Sequence, residues 1–160
     1  MNDKNKTLAA ELVSLCQQKK LKVSAAESCT GGLISAYITS VPGASDVTDG
    51  SIVSYANRVK SGFLGVPDEI LSRYGAVSAE CVEHMAAGVV RMFGADVGIA
   101  VSGIAGPGGG TPGKPVGTVY ICVKYRDKSF NKRFNFEGDR DGVREQTVYQ
   151  ALAEAIEIIK

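Results

Sequence analysis

The stretch LKVSAAESCTGGLISAYITS (residues 21–40) decides the fold, because it changes from strand to helix within a few residues. The small and apolar residues of 21–27 predict a buried strand, and the apolar spacing of 30–40 predicts a helix that stops before Pro42. The corner between them carries four polar or reactive side chains in a row, namely Glu27, Ser28, Cys29 and Thr30. In sheets with parallel strands, ligands collect beyond the carboxyl ends of the strands, which makes this corner a candidate site.

Two glycines, Gly31 and Gly32, follow the corner. Glycine allows a tight turn, and the first N–H groups of a helix lack partners within the helix and carry the positive end of its dipole. We therefore expect the backbone N–H groups around Cys29, Thr30, Gly31 and Gly32 to form an anion or oxyanion site. Alternatively, Ser28 or Thr30 only caps the helix and the glycines only permit close packing.

The remaining segments show either the 3.6-residue period of a helix or the pattern of a strand. Helices are predicted at 4–18, from Asn57, at 68–74, at 79–93 after a Ser78 cap, and from Asp139; further strands are predicted at 50–55, 97–102, 116–125 and 128–136. This order predicts one α/β domain over residues 1–160, with a mixed, mostly parallel sheet of about five strands between helical layers and one antiparallel strand.

The charge balance and hydropathy limit the partners. Lysine and arginine total 18 against 17 aspartates and glutamates, so no strong field recruits nucleic acid or an anionic membrane. No apolar run approaches the ~18 residues of a membrane span, and the charged N-terminal segment does not resemble a signal peptide. We expect a cytoplasmic protein with a small-molecule or protein partner, and neither nucleic acid nor membrane.

The cysteines and the histidine argue against a metal centre. Cys16, Cys29, Cys81 and Cys122 are widely spaced, and His84 is the single histidine. His84 falls on the polar side of its predicted helix, which leaves no clustered ligand set for zinc and disfavours a Ser-His-Asp triad. We expect no metal and no cofactor.

A second corner, SYANRVK at residues 54–60, follows the second predicted strand. Asn57 is placed to cap a helix in which Lys60 is the third residue, and a lysine there opposes the helix dipole. The dipole and partial burial lower the pKa of a lysine, which can then act as a general base toward serine. If the first two strands are parallel neighbours, Ser28, Tyr55 and Lys60 converge; taken singly, Lys60 reads as a solvated lysine and Tyr55 as a strand-end aromatic.

Two further segments are candidates for binding. The glycine-rich loop SGIAGPGGG matches neither a P-loop nor GxGxxG, yet its backbone N–H groups, at Gly103, Ala105 and Gly106 among others, can contact a phosphate or an amide. Arg140 lies at a helix start, where it either binds an anionic ligand or pairs with Asp139 or Asp141. Lys114 in the loop is a weaker phosphate candidate.

Five segments in this order, AAESCTGGLIS, SYANRVK with LGV, YGAVSAE, AVSGIAGPGGGTPGKPVGTVY and FEGDRD, resemble the CinA C-terminal domain family, and within it the stand-alone nicotinamide-nucleotide amidases. The resemblance runs from about residue 8 to the end. It implies a three-layer α/β/α sandwich assembled as a homodimer or higher homo-oligomer. It also implies absence of the pyrophosphatase activity that larger members owe to an additional N-terminal domain.

The resemblance implies deamidation of nicotinamide mononucleotide, a pyridine nucleotide, to nicotinic acid mononucleotide and ammonia, with Ser28, Tyr55 and Lys60 as catalytic residues. Ser28 attacks the carboxamide carbon, Lys60 takes its proton, and Tyr55 orients the lysine or relays the proton to ammonia. Two rivals remain: a hydrolase with Cys29 as nucleophile, and a non-catalytic nucleotide-binding or regulatory module associated with competence or DNA damage. Glu27 either pairs with Lys60 or caps a neighbouring backbone group.

Overall fold

The chain contains six α-helices and five strands, with three consecutive helices between the second and third strands and no helix between the last three strands. The structure is a computed structural model that describes residues 1–160. The helices are α1 (Asp3–Lys19), α2 (Leu33–Thr39), α3 (Asn57–Leu64), α4 (Asp68–Tyr74), α5 (Ala79–Phe93) and α6 (Arg140–Ile159). The strands are β1 (Val23–Glu27), β2 (Ile52–Val53), β3 (Val97–Gly103), β4 (Thr118–Tyr125) and β5 (Lys128–Asn135).

The five strands form one mixed sheet in the order β2-β1-β3-β4-β5. Strand β1 pairs in parallel with both β2 and β3, whereas β4 is antiparallel to both β3 and β5. Only β4 therefore runs against the others, which confirms the predicted α/β class and the single antiparallel strand. Because β1 and β2 are parallel neighbours, their carboxyl ends lie at the same edge of the sheet.

Each face of the sheet is covered by helices, as a three-layer sandwich requires. The larger apolar cluster lies between the sheet and α1, α2 and α6, and includes Ile99 and Val101 of β3. The smaller cluster contains Ala26, Ala100 and residues of α3 and α5. None of the helices is both long and apolar enough to span a bilayer.

Close contact between α3 and α5 sets the position of α3. A Cβ atom added to Gly88 of α5 would overlap the carbonyl oxygen of Leu64, the last residue of α3. A side chain at this position would push the two helices apart. The missing side chain of Gly88 thus lets α3, which carries the buried Lys60, pack closely against α5.

The structure corrects the predicted start of α3. Asn57 does not cap the helix; Ala56 occupies the N-cap position without any side-chain hydrogen bond, and Asn57 is the first helical residue. Lys60 is consequently the fourth helical residue, and its N–H donates to the Ala56 carbonyl at 3.2 Å. Strand β2 is also shorter than the predicted 50–55, because the regular ladder with β1 covers only Ile52 and Val53.

Candidate active site

Ser28, which follows β1, and Lys60, in the first turn of α3, lie next to each other. The sequence predicted this contact from the two strand-to-helix turns. Lys60 Nζ lies 3.1 Å from Ser28 Oγ, across 32 residues of sequence. Ser28 is 9% exposed and Lys60 1% exposed. A nucleophile and a base within hydrogen-bond reach form the minimum of a covalent hydrolase site.

The surroundings of Lys60 disfavour its charged form. Besides Ser28, Nζ contacts only the backbone carbonyls of Ser54 at 2.5 Å and Tyr55 at 3.5 Å. No carboxylate pairs with it. Burial lowers the pKa of Lys60 below that of a free lysine, against smaller opposing effects of Cys81 and Cys29. Desolvation therefore causes the shift that the sequence attributed mainly to the helix dipole.

A neutral Lys60 suits proton abstraction from Ser28. A neutral amine keeps two N–H donors and one lone pair. The donors are matched by the Ser54 and Tyr55 carbonyls, which leaves the lone pair to accept the Ser28 hydroxyl proton. The backbone of the second corner thus orients the base.

Glu27 caps helix α2 from the preceding strand and does not touch Lys60. Its fully buried carboxylate accepts five hydrogen bonds, from the hydroxyls of Thr30 and Ser35 and from the N–H groups of Gly32, Ile34 and Ser35. A carboxylate at a helix N-terminus is stabilised by the unpaired N–H groups and by the dipole. Of the two roles considered for Glu27, the structure shows backbone capping.

This cap corrects part of the expected oxyanion site. The Gly32 N–H donates to Glu27 and the Gly31 N–H to the Ser28 carbonyl, so neither is free for a ligand. Thr30, Gly31 and Gly32 also lie outside the pocket that contains Ser28. The Cys29 N–H donates to no acceptor in another residue, and Cys29 does line that pocket.

Replacing Glu27 by glutamine should lower the free energy of unfolding by roughly 2–4 kcal/mol, because an amide NH₂ group would face backbone N–H donors at the capped helix. Denaturant unfolding measures the change. Glu83→Gln is a matched control, since Glu83 forms a partly exposed ion pair with Lys124. A change below about 0.5 kcal/mol for Glu27→Gln would contradict the capping role.

The pocket over Ser28 has a volume of about 310 Å³ and lies at the carboxyl ends of β1, β2 and β3. The glycine-rich loop forms part of its lining, and there the N–H groups of Ala105, Gly106, Gly108 and Gly109 donate to no protein acceptor. Gly103 lines the pocket as well, although it belongs to β3. The loop therefore presents several unpaired donors to a ligand.

Arg140 closes this pocket at the start of α6. Its Nη1 donates to the Gly106 carbonyl at 2.8 Å, and its Nη2 donates to the Tyr55 phenolic oxygen at 3.0 Å. Asp139 instead caps α6 by accepting from the Gly142 N–H. Pairing of Arg140 with Asp139 or Asp141, the alternative from sequence, is not observed.

The phenol of Tyr55 does not orient Lys60 in this structure. Its oxygen contacts Arg140, and the residue is 61% exposed at the rim of the pocket. Only the Tyr55 backbone carbonyl reaches Lys60.

Lys114, the weaker phosphate candidate, does not face the pocket as a free donor, because its ammonium donates to the Tyr74 and Val77 carbonyls.

Five pocket residues were not singled out as site residues from the sequence: Asn57, Ala76, Val77, Ser102 and Ile104. Ser102 was the one with a recognisable signal, since a polar residue follows the apolar run VGIAV near the end of a central strand. The turn that contributes Ala76 and Val77 lies in the segment YGAVSAE, which supported the family resemblance but contains no chemical signal of a site. Its place in the pocket depends on how α4 and α5 pack.

The other candidate nucleophile and the histidine fit the chemistry less well. Burial raises the pKa of the Cys29 thiol to about 12, which leaves little thiolate at neutral pH. His84, on α5, does not line the pocket. No group of three or more histidine, cysteine, aspartate and glutamate side chains is placed to hold a metal.

A model of the CinA C-terminal domain matches residues 5–159. The CinA-like protein of Thermotoga neapolitana is 45% identical over 152 residues, which cover 95% of this chain and 36% of that protein. The CinA-like protein of Akkermansia muciniphila is 49% identical over 148 residues, covering 92% of this chain and 36% of that protein. This chain thus spans about a third of the length of these relatives.

Solved structures extend the likeness to the whole backbone. The competence/damage inducible protein CihA from Agrobacterium tumefaciens has a TM-score of 0.98 at 37% identity, covering 100% of this chain and 98% of that chain. A competence-damaged protein (CinA) superfamily protein from Escherichia coli has a TM-score of 0.93 at 29% identity, covering 99% of this chain and 93% of that chain.

Proposed function

Because this chain belongs to the CinA C-terminal domain family, we propose that it is an amidohydrolase that converts nicotinamide mononucleotide to nicotinic acid mononucleotide and ammonia, in pyridine-nucleotide salvage. The observation that carries the proposal is the buried contact of 3.1 Å between Lys60 Nζ and Ser28 Oγ, both of which line a pocket. A desolvated lysine beside a serine is an activated nucleophile, and a serine nucleophile suits acyl transfer.

In the first step, Ser28 Oγ attacks the carboxamide carbon and its proton passes to neutral Lys60. The negative charge that develops on the carbonyl oxygen needs a fixed donor, and the free N–H of Cys29 is the candidate next to the nucleophile. Lys60 then returns the proton to the nitrogen, the C–N bond breaks, and ammonia leaves. The product of this half-reaction is an ester on Ser28.

In the second step, a water molecule attacks the ester and Lys60 again accepts the proton. The C–O bond to Ser28 breaks, Ser28 recovers a proton from Lys60, and the free acid is released. The same base thus serves both halves of the reaction, first toward Ser28 and then toward water. Histidine has no part in this scheme.

The rest of the pocket suits a nucleotide phosphate. The unpaired N–H groups of the glycine-rich loop and the guanidinium of Arg140 form one polar wall. Guanidinium and backbone donors are the usual ligands of phosphate oxygens. A volume of about 310 Å³ lies at the lower end of the range of ligand pockets, roughly 300–1,000 Å³.

Ammonia release from nicotinamide mononucleotide by the purified protein tests the proposal, with free nicotinamide as a second substrate. We expect turnover of the nucleotide and far slower turnover of the free base, because the latter lacks the phosphate contacts. Tight binding of the nucleotide without ammonia release would instead favour the non-catalytic module.

The same assay separates serine from cysteine chemistry. Cys29→Ala should keep kcat within about tenfold of the wild-type value, because Cys29 contributes its backbone N–H and not a thiolate. Its thiol is buried, so unfolding must be measured in parallel. A loss as large as that expected for Ser28→Ala, in a folded variant, would make Cys29 the nucleophile.

Arg140→Ala should raise KM for nicotinamide mononucleotide by about 10-fold or more and change kcat much less, because phosphate binding contributes equally in the ground and transition states. Steady-state kinetics with the nucleotide measure both constants. Arg144→Ala is a suitable control, since Arg144 binds the Thr30 carbonyl and Asp141 outside the pocket. Unchanged KM in Arg140→Ala would remove Arg140 from the phosphate site.

A further inference from the structure

Ser102 brings an unused hydroxyl into the pocket. It lies one residue before the end of β3, is 1% exposed and lines the same pocket as Ser28. Its side chain makes no hydrogen bond within the protein. The residue as a whole is buried, but its oxygen is not among the fully enclosed polar side-chain atoms without a partner, so it is open to the pocket, where a ligand can reach it.

The register of the sheet places Ser102 beside Ser28. Strands β1 and β3 pair Ala26 with Ala100, and both alanines face the α5 side of the sheet. Side chains two residues apart point to the same face of a strand, so Ser28 and Ser102 share that face. The Ser28 N–H donates to the Val101 carbonyl at 3.1 Å, which continues the pairing beyond the last regular pair.

We propose, building on the amidase function proposed above, that Ser102 Oγ accepts a hydrogen bond from the carboxamide nitrogen of the substrate and orients that group for attack by Ser28. A primary amide brings two N–H donors as well as a carbonyl acceptor. The Cys29 N–H is available to the carbonyl oxygen. The nearby Ser54 and Gly106 carbonyls are already occupied by Lys60 and Arg140, whereas the Ser102 oxygen is unoccupied.

This contact also directs the leaving group. Once Ser28 has added, the nitrogen becomes tetrahedral and basic. When one N–H of the substrate nitrogen donates to Ser102, the lone pair of that nitrogen is free to take the proton that Lys60 received from Ser28. The C–N bond then breaks and ammonia leaves, while Ser102 keeps its own proton throughout.

The test compares two ligands that differ only at the reacting group: nicotinamide mononucleotide and the methyl ester of nicotinic acid mononucleotide. Dissociation constants are measured in Ser28→Ala and in Ser28→Ala/Ser102→Ala, so that neither ligand is consumed. Loss of one hydrogen bond, about 0.5–1.5 kcal/mol, should weaken amide binding roughly 2- to 13-fold. Ester binding should change less than about twofold, because the ester has no N–H.

Ser24→Ala is the matched control, since Ser24 is also a buried serine without a hydrogen-bond partner, but lies outside the pocket. It should leave both dissociation constants unchanged. With Ser28 present, Ser102→Ala should lower kcat/KM for the amide more than for the ester, and Ser102→Thr should restore part of the loss by restoring a hydroxyl.

Equal weakening of both ligands, or no weakening of either, overturns the role of Ser102. Selective weakening of the amide in a protein that releases no ammonia supports Ser102 as an amide contact while contradicting the proposed amidase function. Failure of the wild-type protein to bind either nucleotide overturns both proposals.

Discussion

Replacing Ser28 by alanine should lower kcat for nicotinamide mononucleotide by at least about 10⁴-fold, because the variant lacks the atom that forms the ester. The change removes one oxygen from a residue whose N–H bond to the Val101 carbonyl does not involve the side chain. The fold should therefore survive. Binding of the nucleotide should also survive, since the loop and Arg140 contribute other residues of the pocket lining.

Ammonia release and a dissociation constant for the nucleotide, measured on the same preparation, check this result. Mass spectrometry of the wild-type protein, quenched during turnover, should show the added acyl group on the peptide that contains Ser28. Ser102→Ala and Ser24→Ala serve as serine-to-alanine comparisons inside and outside the pocket. Ser28→Ala with kcat within tenfold of wild type would exclude Ser28 as the nucleophile.

Replacing Lys60 by methionine should reduce kcat to a similar extent, because the base is lost while the side-chain volume is nearly kept. Alanine would be a poorer choice: Lys60 is 1% exposed, so truncation would leave a cavity. Lys60→Gln is a second variant, whose amide can still donate to the Ser54 carbonyl without acting as a base. The effects of substitutions within one catalytic unit are not additive. The kcat of Ser28→Ala/Lys60→Met should therefore be only slightly lower than that of either single variant.

The pH dependence of kcat gives Lys60 an independent test. Burial lowers the pKa of Lys60, so the neutral, active form should persist below the free lysine value of about 10.4. We expect kcat to fall on the acid side with an apparent pKa well below that value. A histidine can also cause kcat to fall on the acid side. The pH profile must therefore be repeated with His84→Ala, and we expect the same fall in kcat in that variant.

The same pKa shift predicts how stability depends on pH. The pKa of Lys60 is lower in the folded protein than in the unfolded chain, so between the two values the unfolded chain binds more protons. Stability of the wild type, relative to Lys60→Met, should therefore rise with pH by up to about 1.4 kcal/mol per unit, until pH passes about 10.4. Denaturant unfolding across this window measures it. A pH-independent difference would mean that Lys60 is not desolvated.

Local sequence patterns were sufficient for the elements and for the central pair. The periodicity of residues 79–93 and the apolar run at 97–102 predicted α5 and most of β3, because side-chain direction repeats every 3.6 or 2 residues and is set by neighbours along the chain. Ser28 and Lys60 could be paired for a related reason. Each follows a predicted strand, and strands that are parallel neighbours end at one edge of a sheet.

The partners of the polar side chains were decided by tertiary structure. The sequence left Glu27 between two roles, because its five hydrogen bonds depend on how residues 30–35 turn back over the end of β1. The phenol of Tyr55 contacts Arg140, which is 85 residues away and enters the pocket only through the start of α6. No pattern near either residue contains that information.

Burial of Lys60 likewise came from packing and not from its own segment. In sequence, Lys60 stands among polar residues and reads as a solvated lysine opposed by a helix dipole; in the fold, Gly88 lets α3 approach α5 closely enough to cover the amine. The sequence by itself thus determined which residues stand at the strand ends. Tertiary structure decided which of them are desolvated and which face each other, because desolvation and hydrogen bonding depend on atoms that are close in space and far apart along the chain.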